Sequence, residues 1–86
     1  QSVAELGCIV CHNLNIGYVP AEIHHIYGKT KKDSHLFVLP LCFEHHRGGH
    51  DGEKHPFISR HPYKKRFIKK YGDELTLLKQ VQLYLL

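Results

Sequence analysis

No apolar run in this chain approaches the roughly 20 residues that a membrane-spanning helix needs, and Gln1 to Gly7 is too short and too polar for a secretory leader. No membrane partner is expected, and a cytoplasmic setting is. Internal repeats, low-complexity tracts and the terminal histidine run of a purification tag are also missing. A chain that opens on Gln1 is compatible with a piece of a longer protein. Cysteine is scarce: three residues, an odd number that cannot close a disulfide framework without leaving a thiol over. The expectation is reduced, metal-bound cysteines.

What is present is small and basic. Its 86 residues suit a single domain, 1–86. A domain of this size buries roughly 60–65% of its unfolded surface, and its apolar core alone contributes only a few kcal/mol. Domains this small usually carry a staple, either disulfides or a metal. Twelve Lys and Arg against eight Asp and Glu give a net charge of +4, a mild excess that suits a phosphate-bearing partner. Nine histidines are the stronger signal, because neutral imidazole is both the commonest protein metal ligand and the usual general base near pH 7.

Along the chain, residues 2–7 suit a short helical turn leading into the Cys8–Cys11 knuckle, and Asn13 to Pro20 reads as loop. Val19 to Ile26 reads as a strand ending in His24-His25. A basic turn, Tyr27 to His35, separates it from a short strand, Leu36 to Leu39, which Pro40 should terminate. Together they make a hairpin over about 19–39. Cys42 to His46 begins a helical turn that Gly48, Gly49 and Gly52 keep brief, and 51–61 reads as irregular. Helices are expected over about 62–71, closed by Gly72, and over 73–86, capped by Asp73. Leu75, Leu78, Val81 and Leu85 form the apolar stripe of the second. The fold class is therefore α+β, a small zinc-stapled hairpin with C-terminal helices.

Two short pairs carry the metal chemistry. Cys8-x-x-Cys11 and Cys42-x-x-His45 each set two ligands about a turn apart, and together they make the Cys3His set of a closed tetrahedral zinc site. His46 competes with His45 for the fourth position. Adjacent strand residues face opposite ways, so at a strand end one of His24 and His25 can hold a metal while the other meets substrate. Metal-assisted phosphodiester hydrolysis needs that division. His46, then His50 or His61, can complete such a site from the far side of the hairpin.

These residues bring the chain to a family. Cys8-x-x-Cys11, Glu22-Ile23-His24-His25-Ile26 and Leu41-Cys42-x-x-His45-His46 resemble the HNH (ββα-metal) nuclease pattern, in which paired zinc ligands bracket a hairpin containing two histidines. More narrowly, GCIVCHN, AEIHHIYG, SHLFVLPLC, EHHRGG and ISRHPYKKRF resemble the phage recombination-enhancement (Ref) nucleases, over roughly residues 5–75. The resemblance implies a RecA-dependent DNA endonuclease acting in a bacterial host cell, with the RecA filament as partner. Position by position it implies His25 as general base, His24 as the metal ligand beside it, and His46 and His61 as further ligands. His50 and His35 are alternatives. The middle asparagine that gives HNH its N is missing, and His35 occupies its region.

Lys29, Lys31 and Lys32 in the hairpin loop, and Lys65, Arg66 and Lys69 among the cations from Arg60 to Lys70, suit sequence-tolerant contact with DNA phosphates. Phe37, Phe67 and Tyr71 read as core. Zinc is expected in the knuckle. The active-site ion is left among magnesium, manganese, zinc and nickel; an all-imidazole set favours the softer ions, and no carboxylate suited to magnesium is evident. Two other readings remain. A non-catalytic zinc-knuckle module binding DNA or protein explains the cysteines, His45 and the lysines but leaves His24-His25 and His61 without a role. A metal-storage or sensor domain predicts second-site metal binding without DNA affinity.

Overall fold

The computed structural model describes residues 2–28, 36–49 and 57–86. Lys29, Lys31, Lys32, His35 and His50 lie outside the described residues.

A 3-10 turn, Ala4–Leu6, leads through Gly7 into a short helix, α1, Ile9–Asn13. The Cys8–Cys11 knuckle is the first turn of that helix: Cys8 is its N-cap, and its thiol sulfur accepts a hydrogen bond from the Cys11 amide at 3.5 Å. The hairpin follows, β1 (Glu22–His25) antiparallel to β2 (Val38–Leu41), with Glu22 opposite Leu41, Ile23 opposite Pro40, His24 opposite Leu39 and His25 opposite Val38.

Both strands correct the sequence reading. β1 starts three residues later than Val19, because the Val19 carbonyl accepts from the Cys8 amide (2.9 Å) and Pro20 has no N–H to give. Pro40 does not end pairing; it sits inside β2. The Ile26 amide donates to the Phe37 carbonyl, so alternate pairs along the ladder are hydrogen-bonded and Ile23–Pro40 is one of those that is not. The proline's missing donor therefore faces away from β1, on the outer edge of a two-stranded sheet.

After Cys42 the chain makes a π-helical turn, Glu44–Gly48. The segment 57–61 then returns alongside it: the Arg60 amide donates to the His45 carbonyl (2.8 Å) and the His61 amide to the His46 carbonyl (2.9 Å). Gly49 permits this approach, since a Cβ there would collide with the carbonyl oxygens of Glu44 and Phe57.

α2 (Lys64–Tyr71) ends where the Gly72 amide donates to the Ile68 carbonyl, with Gly72 at φ 103°, a value glycine adopts without strain. Asp73 caps α3 (Glu74–Tyr84) by accepting from the Leu75 amide at 3.2 Å. The buried face of α3 is Glu74, Leu77, Leu78 and Val81, with Leu85 partly covered. Leu75, expected in the stripe, is 41% exposed. Leu78, Val81 and Leu85 fit either rotation of the helix, and the buried carboxylate of Glu74 selects this one.

Phe67, Leu39, Leu41, Ile58, Val10 and Val81 are fully buried among the two strands and three helices, and Phe37 and Tyr71 pack against that core as expected. The architecture is α+β, an antiparallel hairpin with helices around it. No helix among the described residues is long and apolar enough to cross a membrane.

Candidate functional site

Two groups of ligand-type side chains converge, and in each the ligand atoms lie within 4.8 Å of one another. The first is Cys8, Cys11, Cys42 and His45, all buried. The first turn of α1 supplies two thiols, Cys42 just past β2 the third and the π-helical turn the imidazole. His45 Nδ1 stands 3.6, 3.5 and 3.2 Å from the sulfurs of Cys8, Cys11 and Cys42, and Cys11 Sγ is 3.7 Å from Cys42 Sγ. A tetrahedral zinc with Zn–S of about 2.3 Å and Zn–N of about 2.0 Å requires ligand–ligand edges of about 3.5–3.8 Å. The cluster matches those edges to within a few tenths of an ångström, and all three cysteines are free of disulfides.

The thiol chemistry agrees. A hydrogen bond from Cys42 lowers the pKa of Cys8, burial pushes the Cys11 thiol up to about 11, and donation to Cys8 pushes Cys42 up to about 12. Thiols packed this closely resist ionising together, and a divalent cation among them reverses that preference. The four residues could hold a structural metal.

The second group is His24 from β1, His46 from the π-helical turn and His61 from the returning segment. Their rings form a nearly equilateral triangle, with centroids 5.2, 5.2 and 5.4 Å apart. His24 is 1% exposed. Its Nε2 donates to Glu74 Oε2 at 2.7 Å. Its Nδ1 is the one buried side-chain polar atom among the described residues without a hydrogen-bond partner. His46 Nδ1 donates to Glu22 Oε1 at 2.8 Å.

Each carboxylate also takes an arginine. Arg60 Nε reaches Glu74 Oε1 at 2.9 Å, and Arg47 grips both oxygens of Glu22 at 3.0 and 2.8 Å. Arg47, then His46, holds the Glu22 carboxyl down at about 2. Burial works against ionising Glu74, but the hydrogen bonds from His24 and Arg60 outweigh it and its pKa is also lowered. Burial, with Arg60 nearby, lowers the pKa of His61 and favours its neutral, ligating form.

A buried imidazole nitrogen with no partner, beside two more imidazoles, is a donor set that fits a divalent metal of borderline softness. The three histidines line an open cleft of about 460 Å³ together with Ile23, His25, Ile26 and Arg60.

The model of the family described as "Recombination enhancement, RecA-dependent nuclease" matches residues 1–85. The chain belongs to this family of RecA-dependent nucleases. No curated protein and no solved structure matches it.

In this nuclease the competition between His45 and His46 resolves by geometry: His45 joins the thiols and His46 the histidines. Of the alternatives for the third position, His61 lies in the cluster, while His50 and His35 fall outside the described residues. Lys65, Arg66 and Lys69 are exposed on α2 with Lys64 and Lys70. Arg60, grouped with them in the sequence reading, is largely buried and bound to Glu74 instead.

Glu22, Arg47 and Glu74 had no role in the sequence reading, and carboxylates are not absent from the site. Glu22 had a signal, since strand alternation puts it on the same side as His24. Glu74 had none: it is 50 residues from His24 and looks like an ordinary acidic first-turn residue.

Proposed function

We propose that this chain is a metal-dependent, HNH-type DNA endonuclease that works with the RecA filament. The observation that carries the reading is the buried, unpartnered Nδ1 of His24 within a three-histidine cluster that opens on a cleft. In this reading Cys8, Cys11, Cys42 and His45 hold a structural zinc, and His24, His46 and His61 hold the active-site ion. Imidazole donors favour zinc or nickel there over magnesium or manganese. Such an ion supplies electrostatic stabilisation of charge on the scissile phosphate and the departing oxygen.

The chain's own residues do the rest. His25 follows His24 in β1, lines the same cleft, and no described residue hydrogen-bonds its ring. It takes the proton from the attacking water. The exposed cations of α2, which begins just after His61, bind DNA phosphates leading to the cleft; Lys29, Lys31 and Lys32, outside the described residues, are proposed as further phosphate contacts.

The test is cleavage of duplex DNA in the presence of a RecA filament and a divalent ion. His25→Ala should lower the rate by about 10²–10⁴-fold, the range of a lost general base, while metal content stays at two equivalents. Equal cleavage by the variant removes His25 from the reaction. A wild-type protein that binds DNA but never cuts it leaves the non-catalytic zinc-knuckle module.

A further inference from the structure

Each carboxylate beside the histidine cluster is shared between one histidine and one arginine, and the two arrangements are built from different parts of the chain. Glu74 opens α3; its Oε1 is taken by Arg60 and its Oε2 by His24 Nε2. Glu22 opens β1; Arg47 holds both of its oxygens, and Oε1 is shared with His46 Nδ1.

An ionised carboxylate only accepts hydrogen bonds, so the nitrogen facing it must carry the hydrogen. A neutral imidazole has one N–H, which leaves the other nitrogen as a lone-pair donor. For His24 the opposite tautomer would set a lone pair against Glu74 and bury an N–H at Nδ1, where no acceptor exists among the described residues. Each arginine keeps its glutamate's charge matched, so a carboxylate can be held in or near the buried interior without a proton of its own.

We infer that Glu74 and Glu22 are positioning residues that fix which nitrogen each histidine presents to the active-site ion, Nδ1 from His24 and Nε2 from His46, with Arg60 and Arg47 anchoring the two carboxylates. The inference rests on the reading of the three histidines as a metal site. It gives the N-terminus of α3 a task beyond packing: Asp73 caps the helix and Glu74, the next residue, orients the metal ligand. Partners of this kind are worth about 10–100-fold in metal affinity when removed.

The experiment uses the full 86-residue chain with zinc in the knuckle. Long-range ¹H–¹⁵N NMR before addition of a second ion should show His24 protonated at Nε2 and His46 at Nδ1. Zinc titration should then give a second equivalent whose affinity falls about 10–100-fold in Glu74→Gln and in Glu22→Gln, with the knuckle site unchanged. Glu74→Gln should disturb only the His24 ring resonances, and Glu22→Gln only those of His46. A merely structural role would shift both rings, or weaken both metal sites, in either variant.

Glu22 is partly exposed, so its variant decides the matter should Glu74→Gln fail to fold. If the wild type takes up no second ion, the metal reading itself is wrong and the inference falls with it. If it does take one up, and Glu22→Gln binds as tightly or the tautomers are reversed, the inference alone is overturned.

Discussion

His45 and His46 are neighbours in the chain and belong to different clusters, because the π-helical turn sends one ring toward three sulfurs and the next toward His24 and His61. Their alanine variants should therefore fail differently. His46→Ala should fold, keep one zinc and lose the second equivalent, while His45→Ala leaves three thiolates with an open position and should lose the cooperative melt. Metal content and circular dichroism distinguish them, and two variants with the same metal loss would contradict the division. The cysteine set was legible in the sequence because its pairs are local, i and i+3, and use every cysteine. The histidine triad was only partly legible: three ring positions recur in motif blocks, but the carboxylates that face His24 and His46, Glu74 and Glu22, are not paired with them by any pattern in the sequence. Glu74 reaches His24 only through the packing of α3 against the hairpin.

At the level of elements, the misreadings of Pro40 and Leu75 have one cause: pattern rules describe an isolated strand or helix, and its neighbours decide how it is used. Pro40 is compatible with β2 only because the register leaves its nitrogen on the free edge. Leu75 is exposed only because Glu74 turns inward. The segment that delivers His61 depends on contact as well. It lies against the π-helical turn through Gly49, whose backbone angles suit any residue (φ −87°, ψ −169°) but whose surroundings admit no Cβ. Gly49→Ala should cost about 1–3 kcal/mol, the usual penalty for over-packing, and should weaken the histidine metal site more than the cysteine site, since 57–61 must move to relieve the clash. Denaturant titration checks the first effect and paired metal titrations the second. No change in either would mean that the approach of the two segments is looser than the structure shows. On α2 the reading of a buried Phe67 against a basic outer face agrees with the structure. Reversing Lys65 and Lys69 to Glu should weaken DNA binding and flatten its dependence on log salt by about two units for two lost phosphate contacts. An unchanged slope would place the DNA elsewhere.

For the whole molecule, the balance is between a small core and two clusters of metal-ligand side chains that differ in what an ion in each would hold together. The apolar core of a chain this size contributes a net of only a few kcal/mol. Structural zinc binding is worth about 10–16 kcal/mol of apparent free energy at pH 7 in small zinc domains. The Cys3His cluster joins α1 to the segment that leaves β2 and enters the π-helical turn, with Cys11 and Cys42 31 residues apart in the chain, so in the proposed reading that long-range contact has little reason to persist without an ion. The histidine cluster sits at the rim of the cleft, and His61 is exposed. An ion held there could leave without opening the core, where Phe67 and Leu39 are fully buried. Stepwise chelation under reducing conditions should then show two stages. A mild chelator removes the histidine-bound ion and abolishes cleavage with the melting transition nearly in place. A strong chelator removes the knuckle ion and abolishes the transition itself, because the lost binding energy exceeds what the core supplies. A chain stripped of both ions that still melts cooperatively within about 5 °C of the loaded protein, a difference worth only about 1 kcal/mol at this size, would show that the hairpin and helices hold without a staple, and the knuckle would need another role.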